Sequence, residues 1–208
     1  MKCIALFFIT LLLSGCSSGL DILIPDHLIT STKEKGYLTG TLGVTTAWPT
    51  TGEGLITTLY FRQRHSHDII TLTRTKSDPD FQTDIQQGQL FSIPLPPGDY
   101  ELFSVGFTGN NGIQTVRSSS GDDLGIVLSV NSNEVTYIGQ FITSSLVAKS
   151  PLWNTEYPSG FGVIRHSYAN ERDKQLFDEH YPELQALSFV SAQLNDANTK
   201  RLISKVIK

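Results

Sequence analysis

His65-Ser66-His67 places two imidazoles one residue apart. In an extended chain alternate side chains share a face, so the pair can chelate a transition metal, with Asp68 following directly. A zinc site uses three or four ligands, so two in a loop make His65 and His67 weak metal candidates, and no metal or other cofactor is expected. Residues 118–121 with Asp122-Asp123 offer oxygen ligands without the spacing of a calcium-binding loop, and read as a solvated loop. Ser159, in Pro158-Ser159-Gly160, lacks the G-x-S-x-G elbow of a hydrolase nucleophile. His166 and His180 read as surface residues. The chain has no P-loop, dinucleotide fingerprint or H-E-x-x-H. The aromatic residues Trp48, Trp153 and Tyr157 can stack on sugars or on a peptide, or serve in core or edge packing.

The opening of the chain carries chemistry of another kind. Lys2 precedes an apolar run over residues 4–13, too short to span a bilayer as a helix. Leu13-Ser14-Gly15-Cys16 follows at once. This order resembles the lipobox of bacterial lipoproteins, in which small residues admit the peptidase and the cysteine thiol is acylated before cleavage. The alternative is an ordinary secretory signal followed by a buried free cysteine. The resemblance implies a lipoprotein signal peptide over residues 1–15 and a palmitate-bearing lipid anchor on Cys16. More than one acyl chain makes such anchoring stable, at ~0.8 kcal/mol per buried methylene. The other cysteine, Cys3, falls in the discarded segment, so the mature chain forms no internal disulfide. Ser17 and Ser18 lack the Asp of an inner-membrane retention signal, so the expected location is the outer membrane, facing the periplasm or the cell surface.

Residues 16–36 stand where a lipidated tether belongs. Fully extended, its last twenty residues would span up to ~66 Å. Leu20, Ile22, Leu23, Ile24, Leu28 and Ile29 are too apolar for a free linker, and predict that part of it docks on the domain or lies at the bilayer surface.

A chain of 208 residues with 39% hydrophobic and 17% charged content can bury a full core as a single folded domain. Its modest net charge of −4 disfavours nucleic acid as a partner, because phosphate binding needs a basic surface, and no nucleic-acid partner is expected.

The elements that must position these residues are mostly strands. Phe91, Ile93 and Leu95 alternate with small or polar residues, Pro97 and Gly98 suit a type II turn, and Tyr100, Leu102 and Val105 lead away. Residues 90–107 therefore read as a β-hairpin. Further strands are expected from Tyr37 to near Trp48-Pro49 and over residues 55–62, 68–74, 81–85 and 113–117, and a second hairpin over 124–130 and 135–143. About eight strands at this spacing suit a sandwich. The strand over 101–107 has Leu102 on one face and Phe103, Val105 and Phe107 on the other, so C-terminal helices are expected to cover it. Residues 161–167 read as one more strand. Asn170 reads as the N-cap of a helix ending at Tyr181-Pro182. Residues 184–194 fit either strand or helix, and Leu202, Ile203, Val206 and Ile207 repeat at helical spacing.

The run from Phe91 through Leu95-Pro96-Pro97-Gly98-Asp99-Tyr100 to Leu102 resembles the F-x-V-x-L-P-P-G-x-Y-x-L segment of prealbumin-like modules. These include carboxypeptidase regulatory-like domains and several families of uncharacterised bacterial lipoproteins. Val135-Thr136-Tyr137-Ile138-Gly139 is similar to a strand that those lipoproteins carry downstream. The resemblance implies a mainly β, prealbumin-like antiparallel sandwich over residues 37–145. Residues 146–208 would form an α/β extension, with one or two helices covering a sheet. The family supplies no catalytic residues. The expected function is that of an outer-membrane-anchored lipoprotein acting as a non-catalytic protein-interaction module, its partners the membrane and an envelope protein. A glycan- or peptidoglycan-binding module using Trp48, Trp153 or Tyr157 is one alternative. A metal-dependent envelope enzyme using His65 and His67 is another.

Overall fold

A computed structural model describes residues 19–31, 34–75, 78–110, 114–121 and 124–206. In chain order the elements are β1 (Leu20–Leu23), α1 (Asp26–Ile29), β2 (Gly36–Thr45), β3 (Ile56–Gln63), β4 (Ile69–Arg74), β5 (Phe81–Gln82), β6 (Gln86–Leu95), β7 (Gly98–Asn110), β8 (Thr115–Ser119), β9 (Ile126–Val130), β10 (Glu134–Lys149), β11 (Glu156–Ser167), α2 (Asn170–His180), β12 (Ser188–Ser191) and α3 (Asp196–Val206). The protein is mainly β. One sheet runs β1-β4-β3-β7-β8, with β9 also on β7; the other runs β11-β10-β2-β6-β5, with β12 also on β10. Pairings are antiparallel except those of β10 with β2 and β12, which are parallel, so the second sheet is mixed rather than antiparallel throughout. Leu59, Phe61, Ile70, Leu72, Tyr100 and Ile126 of the first sheet share one buried cluster with Leu38, Leu42, Phe91, Ile93, Ile138 and Phe141 of the second. Within a strand these residues follow the period-two alternation of one face turned inward, except on β10, where a register shift between Tyr137 and Gln140 sets Ile138 and Phe141 three apart.

Neither expected hairpin forms. β6 belongs to the second sheet and β7 to the first, so residues 90–107 make an arch that carries the chain across the core. Pro96 and Pro97 have no backbone donor to extend a ladder. Gly98 sits at φ 155°, far from the roughly +80° of a type II turn. The Tyr100 hydroxyl donates to the Pro96 carbonyl at 2.8 Å and fixes the arch from inside. Residues 131–133 repeat the device, because β9 pairs with β7 whereas β10 lies in the opposite sheet.

The two-faced strand also resolves differently. Tyr60 stands opposite Ser104 and Phe61 opposite Leu102, so Phe103 is an extra residue, a β-bulge. The bulge resets the alternation, and Tyr100, Leu102, Val105 and Phe107 all point into the core. Phe103 alone stays outside, beside the Tyr60 ring at 6.2 Å and under the Arg62 guanidinium at 4.7 Å. No helix is needed there.

α2 instead packs on the outer face of the second sheet, where Phe177 joins Leu90 and Val135 with Tyr37 and Phe189 around them. Its Asp173 is fully buried, paired with Arg172 at 2.6 Å and accepting from the Tyr137 hydroxyl at 2.5 Å and from Thr41 at 3.1 Å. Asn170 is the first helical residue rather than the cap, and its Oδ1 accepts from Ser191 at 3.2 Å. Residues 184–194 hold the end of a short 3-10 turn, Pro182–Leu184, and the short β12, and the strand expected over 81–85 shrinks to Phe81–Gln82. α3 sends Leu202 into the inter-sheet core. The boundary expected at 145/146 falls within β10, which runs unbroken to Lys149.

The tether is docked from Gly19 onward. β1 pairs with β4, and Leu20 and Leu28 are buried in the core. Cys16 and the signal segment lie outside the described residues, as do Asp122 and Asp123.

Candidate functional site

Strand register sorts the candidate residues onto two opposite ends of the sandwich. Leu20 pairs with Arg74, Arg74 with Thr57 and Ile56 with Thr108, so the N-terminal chain enters at that end of the first sheet. The loop after Thr45 runs to Ile56, Thr45 pairs with Gln86, and β10 passes Val44 at Thr143 before continuing to Lys149. That end therefore carries Trp48, in the β2–β3 loop, together with Trp153 and Tyr157, on the β10–β11 hairpin. The β3–β4 loop with His65 and His67 occupies the other end, beside α1.

At the N-terminal end the β10–β11 hairpin closes in a tight loop. Ser150 N–H donates to the Thr155 carbonyl and Asn154 N–H to the Ser150 carbonyl, both at 2.9 Å, and Trp153 N–H reaches Ser150 Oγ at 3.3 Å. Asn154 supplies the left-handed turn residue at φ 51°. This tied backbone holds Leu152 and Trp153 in solvent, 87% and 79% exposed. Trp48 is 58% and Ile85 57% exposed on the neighbouring loops, and Thr46 N–H donates to the Ile85 carbonyl at 2.9 Å. Tyr157 is half-buried beside Ala148. No ring contact joins Trp48, Trp153 and Tyr157 among the described residues.

The same end opens into a cleft of about 670 Å³ between the sheets, lined by Glu53, Leu55, Ile56, Arg74, Pro79 and Gln87, among others. Ile70, Leu72 and Arg74 alternate inward on β4, so the guanidinium follows two core residues to the mouth of the sandwich. It is 6% exposed, its Nε has no hydrogen-bond partner, and burial lowers its pKa against a smaller opposing pull from Glu53. The alternation is legible in the sequence, but a strand ending in Arg reads there as leaving the core. None of the three candidate aromatics lines this cleft.

At the opposite end His65 and His67 are exposed, and His65 takes φ 63° in the turn. Asp68 is engaged elsewhere. It meets His27 Nε2 at 2.9 Å and accepts from the Ser66 hydroxyl, and the Ser66 bond, followed by His27, lowers its pKa. Arg62, Arg64 and Glu101 line a shallow hollow with His65 and His67, and the Glu101 carboxylate is taken up by Arg62 at 2.9 Å. Among the described residues no three His, Cys, Asp or Glu side chains are grouped to hold one.

Ser159 Oγ donates to the Leu146 carbonyl at 2.7 Å and braces the hairpin. His166 is buried rather than on the surface. It sits at 5.0 Å from both the Phe141 and Tyr168 rings with Nε2 2.7 Å from the Ile138 carbonyl, and burial lowers its pKa against the opposing effect of that bond. His180 is exposed. No helix among the described residues is long and apolar enough to cross a membrane.

No family model and no curated protein matches the chain. Among solved structures, a leucine-rich repeat protein from Bacteroides thetaiotaomicron is similar at 13% identity and a TM-score of 0.29. The match takes in 53% of this chain and 14% of that one, and so slight a likeness carries no argument.

Proposed function

We propose that the chain is an outer-membrane lipoprotein, acylated at Cys16, whose prealbumin-like sandwich is a non-catalytic protein-interaction module of the cell envelope. The observation that carries this is where the tether stops. Two residues, Ser17 and Ser18, separate Cys16 from Gly19, whose carbonyl accepts from Thr75 N–H and Thr75 Oγ1, both at 2.8 Å. The three residue steps from Cys16 to Gly19 reach about 10 Å at most. A lipid on Cys16 would then hold the domain against the membrane rather than on a stalk. The end bearing the β3–β4 loop, α1 and residues 131–133 would face away, and to it we assign the envelope partner. The prealbumin-like assignment is supported by the segment that suggested it, whose Phe91, Ile93, Leu95, Tyr100 and Leu102 are all core residues.

Labelling cells with palmitate tests the anchor. The chain should take up label and fractionate with outer membrane, and Cys16→Ser should abolish both. Label on the Cys16→Ser protein would contradict the assignment.

A further inference from the structure

We infer that the N-terminal end of the sandwich is a membrane-docking surface, with Leu152 and Trp153 at the β10–β11 tip and Trp48 and Ile85 beside them set into the lipid interface. The inference rests on acylation of Cys16 as proposed above, and adds which face meets the bilayer and through which residues.

Position comes first. Gly19 is pinned to Thr75, and in the sequence only Ser17 and Ser18 stand between it and Cys16. A lipid within ~10 Å of that corner brings the bilayer to this end and to no other. The corner and the tip lie far apart on it. β1 is one edge of the first sheet, and β8 is the opposite edge, four strand spacings or about 19 Å across. A built Cβ on Gly160 of β11 would meet Val116 of β8, so the hairpin rises beside that far edge. The lipid and the tip would then touch the bilayer at two separated points, which fixes orientation where a single tether would allow the domain to tilt.

Chemistry comes second. The four apolar side chains are 57–87% exposed, and Leu152 and Trp153 are held out by a hydrogen-bonded loop. Tryptophan suits the headgroup level, with an apolar ring and one N–H for a polar partner. Glu53, Asp84 and Glu156 are exposed on the same end, so apolar contact rather than attraction to anionic lipid carries the docking. Arg62, Arg64, His65 and His67 stand at the opposite end, which also exposes Leu23, Ile29 and Ile69, at 69%, 47% and 49%, but carries neither tryptophan.

Trp48 and Trp153 are the chain's two tryptophans, so intrinsic fluorescence reads this surface directly. The mature acylated protein is reconstituted into phosphatidylcholine vesicles, with or without phosphatidylcholine brominated high on its acyl chains, and floated on a gradient. The expected result is flotation, a blue-shifted emission and loss of most of that emission with brominated lipid. Trp153→Phe should remove much of the quenching while leaving flotation intact. In a Trp48→Phe/Trp153→Phe background, the reporter substitution His67→Trp at the far end should float unquenched. Flotation with no quenching of the wild type would overturn the docking surface while leaving the anchor standing. A mature chain that does not float would overturn both. Quenching of His67→Trp equal to that of Trp153 would also overturn the assigned face.

Discussion

Arg74 is a buried charge only partly offset by Glu53. Its Nε has no hydrogen-bond partner among the described residues, and desolvation weakens its hold on the proton. An apolar side chain of similar length avoids that cost, so Arg74→Met should stabilise the isolated domain by about 1–4 kcal/mol. Thermal denaturation reads this, and a lower Tm would mean that the guanidinium finds a partner in solution. His166 makes a prediction about pH. Its folded pKa lies below the unfolded value of about 6.5, so the folded state binds the proton less readily. Its contribution is present above that value and is lost as pH falls through the folded pKa. Between pH 7.5 and 5.5 the wild type should therefore lose more stability than His166→Gln, and equal losses would contradict the assignment. Sequence alone treats this histidine as surface, because burial at 166 depends on Phe141 and Tyr168 closing over it from distant positions.

At the scale of elements, period-two patterning located the strands but not their partners. Phe91, Ile93 and Leu95 face the core whether the chain returns as a hairpin or crosses to the other sheet, so the alternation cannot separate the two. The bulge at Phe103 was equally hidden, because an extra residue imitates a strand with two apolar faces. Two glycines offer a test. Gly139 sits at φ 89°, and a Cβ there would lie 2.6 Å from the Ser167 carbonyl oxygen and 2.5 Å from His166 Nε2. Gly98, at φ 155°, would meet only the end of the Gln63 side chain at 3.2 Å. Both φ values strain an L side chain, and Gly139 adds a clash with backbone, so Gly98→Ala should cost about 1–3 kcal/mol and Gly139→Ala more. A smaller cost at Gly139 than at Gly98 in chemical denaturation would contradict the close approach of Ser167 to Gly139. α3 is tested by Leu202→Ala, which empties a fully buried site and should cost about 2–5 kcal/mol; an unchanged midpoint would mean that α3 is not part of the core.

At the scale of the whole molecule, the sandwich as proposed has a lipid end and a free end. The pattern that resembles a lipobox is legible because it is local, four consecutive residues after an apolar run. That the chain is already docked at Gly19 is not, because it depends on Leu20 pairing with Arg74 and on Gly19 with Thr75. The aromatics Trp48 and Trp153 stand out in the sequence, yet only strand register places them on the end where the N-terminus enters. Everything said of orientation follows from acylation at Cys16. Intact-mass and N-terminal peptide mass spectrometry of the mature chain, extracted from outer membrane, tests that claim most directly. The account predicts a chain beginning at Cys16, with three acyl chains' worth of added mass confined to that residue. A mature chain beginning elsewhere, or an unmodified Cys16, would contradict it.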